Sequence, residues 1–472
     1  MFARRQFPFL CAAFLALAGC ARFESRPLEP AKNLDRFEQR TLAETQLRAF
    51  VETNLHRTFL EWPPAEWNLE TLTLTAFFFH PDLDAARARW AVADAGKVTA
   101  GQRPNPTLSV TPAYNSTSAM ASPWLVTANL DLPIETTGKR GYRLAQAQHL
   151  STAARLGIAT TAWEVRARLR RALLELWTSQ QSATLLERQL ATQENLVSLL
   201  EGQLAAGALA RTDVARERIA LEQTRIALAD ARTRAAPART QLAAALGLPA
   251  RALDDVKVSF DAFTTRLREF PTAEARRRAL LNRSDVLAAL AEYAATESAL
   301  QLEIAKQYPD VHVNPGYEFD QGDSKWGVGI GIDLPVLNRN RGPIAEAEAR
   351  RRESAAKFNA LQVRVLGEIE TATAGFNAAR AQYAAAAPLF DQLRQQEQQT
   401  QAMLAAGALS RPELVSVQLQ RATSELARLD TAIKLQQAAG QLEDALQSPL
   451  NLSDSMLRIA TPDGNPKKGQ SK

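Results

Sequence analysis

The sequence of 472 residues is poor in the side chains that hold metals or form covalent cross-links. It has two cysteines, four histidines and four methionines. Both cysteines, Cys11 and Cys20, lie near the N-terminus, so the rest of the chain can form neither a disulfide nor a cysteine metal site. The histidines and methionines are scattered without the spacing of a metal cage.

Catalytic patterns are also missing from the sequence. No Walker-type glycine loop with a lysine occurs, which argues against ATP hydrolysis. We find no Ser/His/Asp set and no carboxylate pair in a pocket-like pattern, because the acidic residues fall at helical surface spacing. We therefore predict that the protein is not an enzyme and has no cofactor apart from a covalent lipid, discussed below.

Beyond the N-terminus the sequence has no long hydrophobic run. No stretch approaches the roughly 20 apolar residues of a membrane-spanning helix. Hydrophobic residues make up 46% and charged residues 23% of the chain, which is typical of a folded protein. The net charge is +5, but the basic residues lie beside acidic ones along helical patterns, as on a solvated surface. We predict no nucleic-acid partner.

The first twenty residues have the pattern of an export signal. Arg4 and Arg5 precede an apolar run, residues 7–18, that is too short to span a membrane. The run ends in Leu-Ala-Gly-Cys, which resembles a bacterial lipobox with Cys20 as the lipid-bearing residue. Resemblance to lipoproteins implies sorting to the outer membrane, since Ala21 follows the cysteine. The alternative is a chance cysteine in an apolar leader.

A six-residue segment, Leu-Ala-Ala-Gly-Ala-Leu, occurs twice, at 204–209 and 404–409. Each copy interrupts a long helical pattern, and repeats of this spacing indicate a duplicated architecture. Glycine can end a helix in the left-handed region, so Gly207 and Gly407 predict tight turns at the tips of two helical hairpins. Asp213 and Glu413 follow in the first turn of the returning helices, where a carboxylate complements the helix dipole.

Four segments alternate with a period of two, which indicates β-strands. The clearest places Trp326, Val328 and Ile330 on one face and glycines on the other. Apolar residues facing outward and polar residues facing inward are typical of a transmembrane barrel. We predict strands at about 107–116, 124–133, 310–319 and 326–335.

These elements divide the chain into five parts. We predict a helix from Leu34 to Arg57 in the N-terminal region. The expected order is a signal peptide (1–19), a lipid-anchored segment (20–66), a first repeat (67–270, tip near 207–212), a second repeat (271–450, tip near 407–412) and a disordered tail (451–472).

Four strands cannot close a barrel, and an open sheet edge cannot face lipid. Strands that cross a membrane would therefore have to be pooled from several protomers.

The chain resembles the TolC family of outer-membrane efflux proteins in four features. These are the lipobox, the duplicated strand-strand-helix-helix order, the two Asp-Leu-Pro elements (131–133 and 333–335) and the glycine tips. The resemblance covers about Trp67 to Leu450. It implies a mainly α fold with a small β part, in which long antiparallel hairpins form an α-barrel. Each protomer then contributes four strands to a trimeric twelve-stranded β-barrel. The segment 334–342 resembles the heavy-metal branch of the family.

The resemblance also implies partners and a location. It predicts a homotrimer in the outer membrane, anchored by lipid and inserted by its barrel, with a long periplasmic extension. The expected partners are a periplasmic adaptor (membrane fusion) protein, an inner-membrane transporter of the RND type and outer-membrane lipid. The predicted function is a passive exit duct of a tripartite efflux pump.

The same resemblance assigns roles to individual residues. Asp213 and Glu413 would line the periplasmic gate, and Glu413 of three copies would make a charged ring. Leu409 stands where the family has a gate-bridging arginine, a role that Arg211 or Arg411 could take. The tip turns at Gly207, Leu209, Gly407 and Leu409 would meet the adaptor. Four aromatic residues would lie at the membrane interface: Trp124, Trp326, Tyr114 and Tyr317. Ser416 and Leu409 depart from the family pattern, so its closed-state bonding need not apply, and both carboxylates could instead serve only their own helices.

Two other functions are compatible with the residues. A protein-secretion duct would use the same architecture, and its cargo is not encoded in this chain. A lipid-anchored periplasmic scaffold without a pore would lack conductance in planar bilayers.

Overall fold

The structure is a computed structural model that describes residues 23–117, 120, 122–264 and 272–450. The predicted signal peptide, the lipid-bearing Cys20 and the tail 451–472 lie outside the described residues.

The chain divides into two units, Met1–Thr41 and Leu42–Lys472. The described part of the first unit contains helix α1, Pro30–Glu38. In the described part of the second unit, the helices are α2 Thr45–Leu55, α3 Leu69–Phe79, α4 Pro81–Gly101, α5 Lys139–Ala205, α6 Arg211–Leu246, α7 Asp261–Thr264, α8 Thr272–Asn282, α9 Ser284–Ala305, α10 Arg341–Ala405 and α11 Arg411–Leu446. Its strands are β1 Thr107–Tyr114, β2 Trp124–Ile134, β3 Val311–Asp320 and β4 Asp323–Ile332.

The helix predicted from Leu34 to Arg57 is wrong as a single element. Residues 39–44 are not helical and separate α1 from α2. Leu42 is buried in the same core as Leu47 and Val51 of α2. A continuous helix would have to give up this placement of Leu42, and burying a leucine contributes about 2 kcal/mol.

The four strands form one antiparallel sheet in the order β1-β2-β3-β4. β3 and β4 are joined by a two-residue turn, Gln321-Gly322, in which both residues have positive φ angles of 48° and 124°. A two-residue turn with positive φ angles matches the twist of the flanking strands. This tight turn is why β4 begins at Asp323, three residues before the expected start.

The second unit contains two long helical hairpins. α5 has 67 residues and α10 has 65, so each is about 100 Å long at 1.5 Å per residue. α5 packs on α6 and α10 packs on α11. Each long helix starts at the sheet side of its repeat and ends at a glycine turn, so the sheet and the tips lie at opposite ends of the helices.

The hydrophobic core has two clusters. One joins α2, α3, the middle of α5 and the end of α6, and it includes Trp67, Leu169 and Leu242. The other joins α8, α10 and the end of α11, around Val365 and Leu442. Trp67 also forms a parallel bridge to Val258, which ties the start of the first repeat to the segment after α6.

Candidate functional site

The two hairpin tips have the same backbone geometry. In the first, the N–H of Ala208 donates to the carbonyl of Gln203 at 2.9 Å, and Gly207 has a φ of +72°. In the second, the N–H of Ala408 donates to the carbonyl of Met403 at 2.9 Å, and Gly407 has a φ of +74°. This pattern satisfies the last carbonyls of a helix and favours glycine at the left-handed position. Leu209 and Leu409 are half-buried beside the turns.

The tips differ in how their acidic residues are held. The Glu413 carboxylate accepts hydrogen bonds from the N–H and the hydroxyl of Ser410, both at 2.7 Å. These bonds lower the pKa of Glu413 below its ordinary value. Asp213 instead lies 3.9 Å from Arg216 of its own helix. The partner described for each carboxylate therefore lies near the start of its own returning helix.

The predicted gate arginines lie beside these carboxylates in sequence, at the first residue of each returning helix. Arg211 begins α6 and Arg411 begins α11, and both are exposed. Within the part of the chain that the structure describes, neither makes an ion pair. The protomer thus brings the predicted gate residues to the two tips, but it does not join them to each other.

The sheet has one exposed apolar face. On β4 the side chains of Trp326, Val328 and Ile330 are 83%, 73% and 72% exposed. On β1 Leu108 and Val110 are also exposed. A contiguous apolar surface of this kind is unusual on a protein surrounded by water.

The four predicted interface aromatics come together as two cross-strand pairs. Tyr114 pairs with Trp124 between β1 and β2, with ring centroids 5.1 Å apart. Tyr317 pairs with Trp326 between β3 and β4, with ring centroids 4.7 Å apart. Cross-strand aromatic pairs stabilise a sheet, and each set lies near the end of its hairpin.

The opposite face of the sheet is polar and concave, with a cavity of about 820 Å³. Asp131, His312 and Asn314 line it together with the glycines of β4. The Nδ1 atom of His312 lies 2.9 Å from Oδ1 of Asp131 on the neighbouring strand. The alternation in the sequence predicts this polar face, but not the contact between these two side chains.

A buried lysine connects the sheet corner of one repeat with that of the other. Lys139, at the start of α5, donates from Nζ to Asp310 at 2.8 Å and to the carbonyl of Tyr308 at 2.7 Å. Burial alone would raise the pKa of Asp310, but hydrogen bonds from Lys139 and the N–H of Thr136 lower it on balance. This contact fixes β2 and β3 at the ends where the long helices begin.

A second buried ion cluster joins the hairpins away from the sheet. Nη1 of Arg166 lies 2.9 Å from Oε2 of Glu443, and Arg170 donates to the backbone carbonyl of Gln436 at 2.7 Å. The side-chain amide of Gln436 donates in turn to the carbonyl of Phe263 at 2.9 Å. The sequence did not reveal this cluster, because Arg and Glu at helical spacing resemble an ordinary solvated surface.

Two absences apply to the described residues. No helix there combines the length and apolarity that crossing a bilayer requires. Nor do three or more His, Cys, Asp or Glu side chains come together there as a group that could hold a metal ion.

Two solved structures share the fold of this chain. CusC, from a study of conformational changes on folding and transmembrane channel formation, is 17% identical, with a TM-score of 0.65 over 91% of this chain and 99% of CusC. The outer membrane protein VceC of Vibrio cholerae is 20% identical, with a TM-score of 0.65 over 81% and 96%. Likeness at this identity concerns the fold, and it confirms the predicted TolC-like architecture of long helical hairpins with a small four-stranded sheet.

Sequence comparison identifies a relative and the family. The cobalt-zinc-cadmium resistance protein CzcC of Cupriavidus metallidurans is 24% identical over 268 residues, which are 56% of this chain and 62% of CzcC. The family model described as "Outer membrane efflux protein" matches residues 79–248 and 275–448, one stretch for each helical hairpin and its strands. The chain belongs to the outer membrane efflux protein family.

Proposed function

We propose that this protein is the outer-membrane exit duct of a tripartite efflux pump. It would conduct substrates passively from a periplasmic adaptor and an inner-membrane transporter of the RND type to the exterior. The observation that carries the proposal is the four-stranded sheet. Its outward face is apolar, its other face is polar, and each edge strand pairs with a single neighbour within the described residues.

Such a sheet requires further strands in a bilayer. The edges at β1 and β4 present unpaired backbone groups, which cost several kcal/mol each in hydrocarbon. Pairing β4 of one copy with β1 of the next removes both edges. Because β1 and β4 run in opposite directions in the protomer's sheet, this pairing is antiparallel, like the other three.

Three copies would supply twelve strands, which is within the range of closed outer-membrane barrels. Each copy would then place two aromatic pairs at the membrane surface, Tyr114 with Trp124 and Tyr317 with Trp326. The two structural repeats, 67–270 and 271–450, would each contribute one hairpin of strands and one of helices.

The helical tips would form the periplasmic entrance. Their matching turns at Gly207 and Gly407 would present Leu209 and Leu409 to the adaptor. Asp213 and Glu413 would place carboxylates around the axis, where charged rings attract cations. The hydrogen bonds from Ser410 use one oxygen of Glu413, so capping a helix and lining a pore are compatible roles for this side chain.

We propose divalent heavy-metal cations as the transported class. The support is the similarity to CzcC and the charge of the polar sheet face. Its cavity is lined by the carboxylates of Asp131, Glu318 and Asp333, against one lysine, Lys325, among the lining residues. An acidic lining lowers the energy of a cation in a pore. The lipid on Cys20 would add a tether to the membrane-inserted barrel.

Conductance tests the proposal directly. The purified full-length protein, reconstituted in a planar bilayer, should give stable channels with a preference for cations in a salt gradient. A preparation that inserts as a lipidated protein without conductance would contradict the duct and favour a scaffold. For the anchor, replacing Cys20 with serine should abolish incorporation of labelled fatty acid, and continued labelling would contradict that assignment.

A further inference from the structure

One histidine on the polar face of the sheet is held in the arrangement of a metal ligand. His312 lies on β3, and its Nδ1 is 2.9 Å from Oδ1 of Asp131 on β2. An ionised carboxylate can only accept a hydrogen bond, so the proton of a neutral imidazole must be on Nδ1. The lone pair is then on Nε2, the atom that faces away from Asp131.

The imidazole of His312 is partly exposed and lines the cavity on the polar face. The side chains of His312 and Asp131 are 34% and 41% exposed. Within the described residues, Nε2 has no hydrogen-bond partner. Across the strand pair, His312 lies opposite Gly331, where an added Cβ would come within 3.5 Å of the Cβ of His312. A side chain at this position would therefore begin in contact with His312, and glycine leaves that space open.

A carboxylate that orients a histidine through one ring nitrogen, with a metal on the other, is the usual pattern of protein metal ligands. We propose that Nε2 of His312 coordinates transition-metal cations on the polar face of the sheet, with Asp131 as the positioning residue. Imidazole selects zinc, cobalt or nickel over magnesium and calcium, which prefer oxygen ligands.

The site is weak because it offers one nitrogen ligand. The described residues contain no group of three metal-binding side chains, so water completes the coordination sphere. Weak binding suits a conduit, since a cation has to leave as readily as it enters. The inference rests on the proposed function for its role: in a closed barrel the polar face lines the pore, and His312 of three copies forms a ring of transit sites.

The test is nitrogen NMR of the full-length protein labelled with ¹⁵N-histidine in lipid nanodiscs. The chain has four histidines, so the spectrum is simple. Before metal is added, His312 should be the tautomer with its proton on Nδ1. Zinc ions should then shift the Nε2 signal of His312, while magnesium ions should leave it unchanged. His80, which is buried, serves as an internal control that zinc should not shift.

Two substitutions of Asp131 test whether its carboxylate acts by orienting the imidazole of His312. Asp131→Ala should change the tautomer of His312 and weaken its zinc response by about tenfold. Asp131→Asn retains an oxygen acceptor, so this variant should keep both the tautomer of His312 and its zinc response. His312→Asn should abolish the zinc response, whereas His149→Asn, on α5, is the matched control and should leave the His312 response unchanged.

The inference is overturned if millimolar zinc leaves the His312 signals unmoved, or if Asp131→Ala alters neither the tautomer nor the response. These results do not depend on conductance. A chain that binds zinc at His312 but does not conduct would contradict the duct alone, and one that conducts without binding zinc would contradict the metal site alone.

Discussion

The long helices α5 and α10 occupy corresponding places in a duplicated chain, yet only α5 is buried on two sides. Counting 200 residues onward from α5 gives the matching position in α10. Both helices bury the same stripe: Val165 and Val365, Leu169 and Ile369, Ala172 and Ala372, and Leu176 and Phe376. Residues at these intervals lie on one face of a helix, so the duplication retains one packing surface.

The second side of α5 differs from its counterpart. Trp163 is 8% exposed, whereas Val363 at the matching position is 70% exposed. Arg170 is buried against Gln436, whereas Glu370 is exposed and pairs with Arg276. Glu443 and Asp444 of α11 complete the buried surface, and the matching residues of α6 are Ala243 and Ala244. The burial pattern indicates that α5 anchors the protomer. In the proposed assembly, the exposed face of α10 would be available to a neighbouring copy.

The largest expected effect on folding stability comes from removing the carboxylate of Glu443, the central charge in the contact between α5 and α11. Glu443→Ala leaves Arg166 and Arg170 buried without their carboxylate. Removing one partner of a buried pair typically costs about 3–5 kcal/mol. The thermal midpoint of the detergent-solubilised protein, followed by far-ultraviolet circular dichroism, should fall sharply.

Asp430→Ala is the control in the same helix. Asp430 pairs with Lys434 at the surface, where both side chains are more than half exposed. Exposed pairs contribute about 0–1 kcal/mol, so the midpoint should barely move. Equal effects of the two substitutions would show that the Arg166–Glu443 contact does not anchor the protomer.

A matched pair of truncations measures the difference between the two helices. Trp163→Ala removes a buried ring that packs against Arg166 and should cost about 3 kcal/mol of folding free energy. Val363→Ala should change the folding free energy of the protomer by less than about 0.5 kcal/mol, since exposed sites are tolerant. It should instead make the oligomer dissociate at lower detergent concentration, as seen by native mass spectrometry. A Val363→Ala protein that loses folding stability without weakened assembly would contradict the free-face interpretation.

Asp444 makes the α5–α11 contact sensitive to pH. Burial raises the pKa of Asp444 from 3.8 to about 6, and its Oδ1 has no hydrogen-bond partner within the described part of the chain. Between these two values the folded state binds the proton more strongly than the unfolded state, so folding stability falls as pH rises through this window.

Asp444→Asn removes this dependence. The variant should be about 1–2 kcal/mol more stable than the unsubstituted protein at neutral pH, and the gain should vanish near pH 4. Thermal midpoints measured across this range provide the test. A constant difference at every pH would mean that the buried charge is not the cause.

A small effect on stability is expected at the tips, where the two hairpins have nearly the same backbone. Glu413→Gln retains an oxygen that can accept from Ser410 and removes the charge, at a cost of about 0.3–1 kcal/mol in helix-dipole stabilisation. The cation preference of the channel should decrease, measured as the reversal potential in a salt gradient. Asp213→Asn is the comparison in the first tip, and an unchanged reversal potential in both variants would contradict the charged ring.

The sequence was sufficient for the repeat, the tips and the strands because these depend on local patterns. A glycine at a helix end, a period of two and a duplicated order each carry their own physical cause. The ends of β4 were misplaced by three residues because the tight turn at Gln321-Gly322 has no proline or Asn-Gly signature. The helix predicted from Leu34 to Arg57 failed because tertiary burial of Leu42 overrode local propensity.

Long-range polar contacts could not be predicted in the same way. Arg166 and Glu443 are 277 residues apart, and each has the helical spacing of a surface charge. His312 and Asp131 lie on the polar face of the sheet, but their contact depends on the register between β2 and β3. Such partners are set by the fold, so they become visible only once the repeats are packed together.

The central claim is that four strands per chain are completed by neighbouring copies. Single-particle cryo-electron microscopy of the full-length protein in nanodiscs tests it most directly. We predict three copies, with β1 of one copy hydrogen-bonded to β4 of the next in a closed twelve-stranded barrel. A single copy whose own β1 and β4 pair with each other, or an assembly in which these edges stay open, would contradict the account.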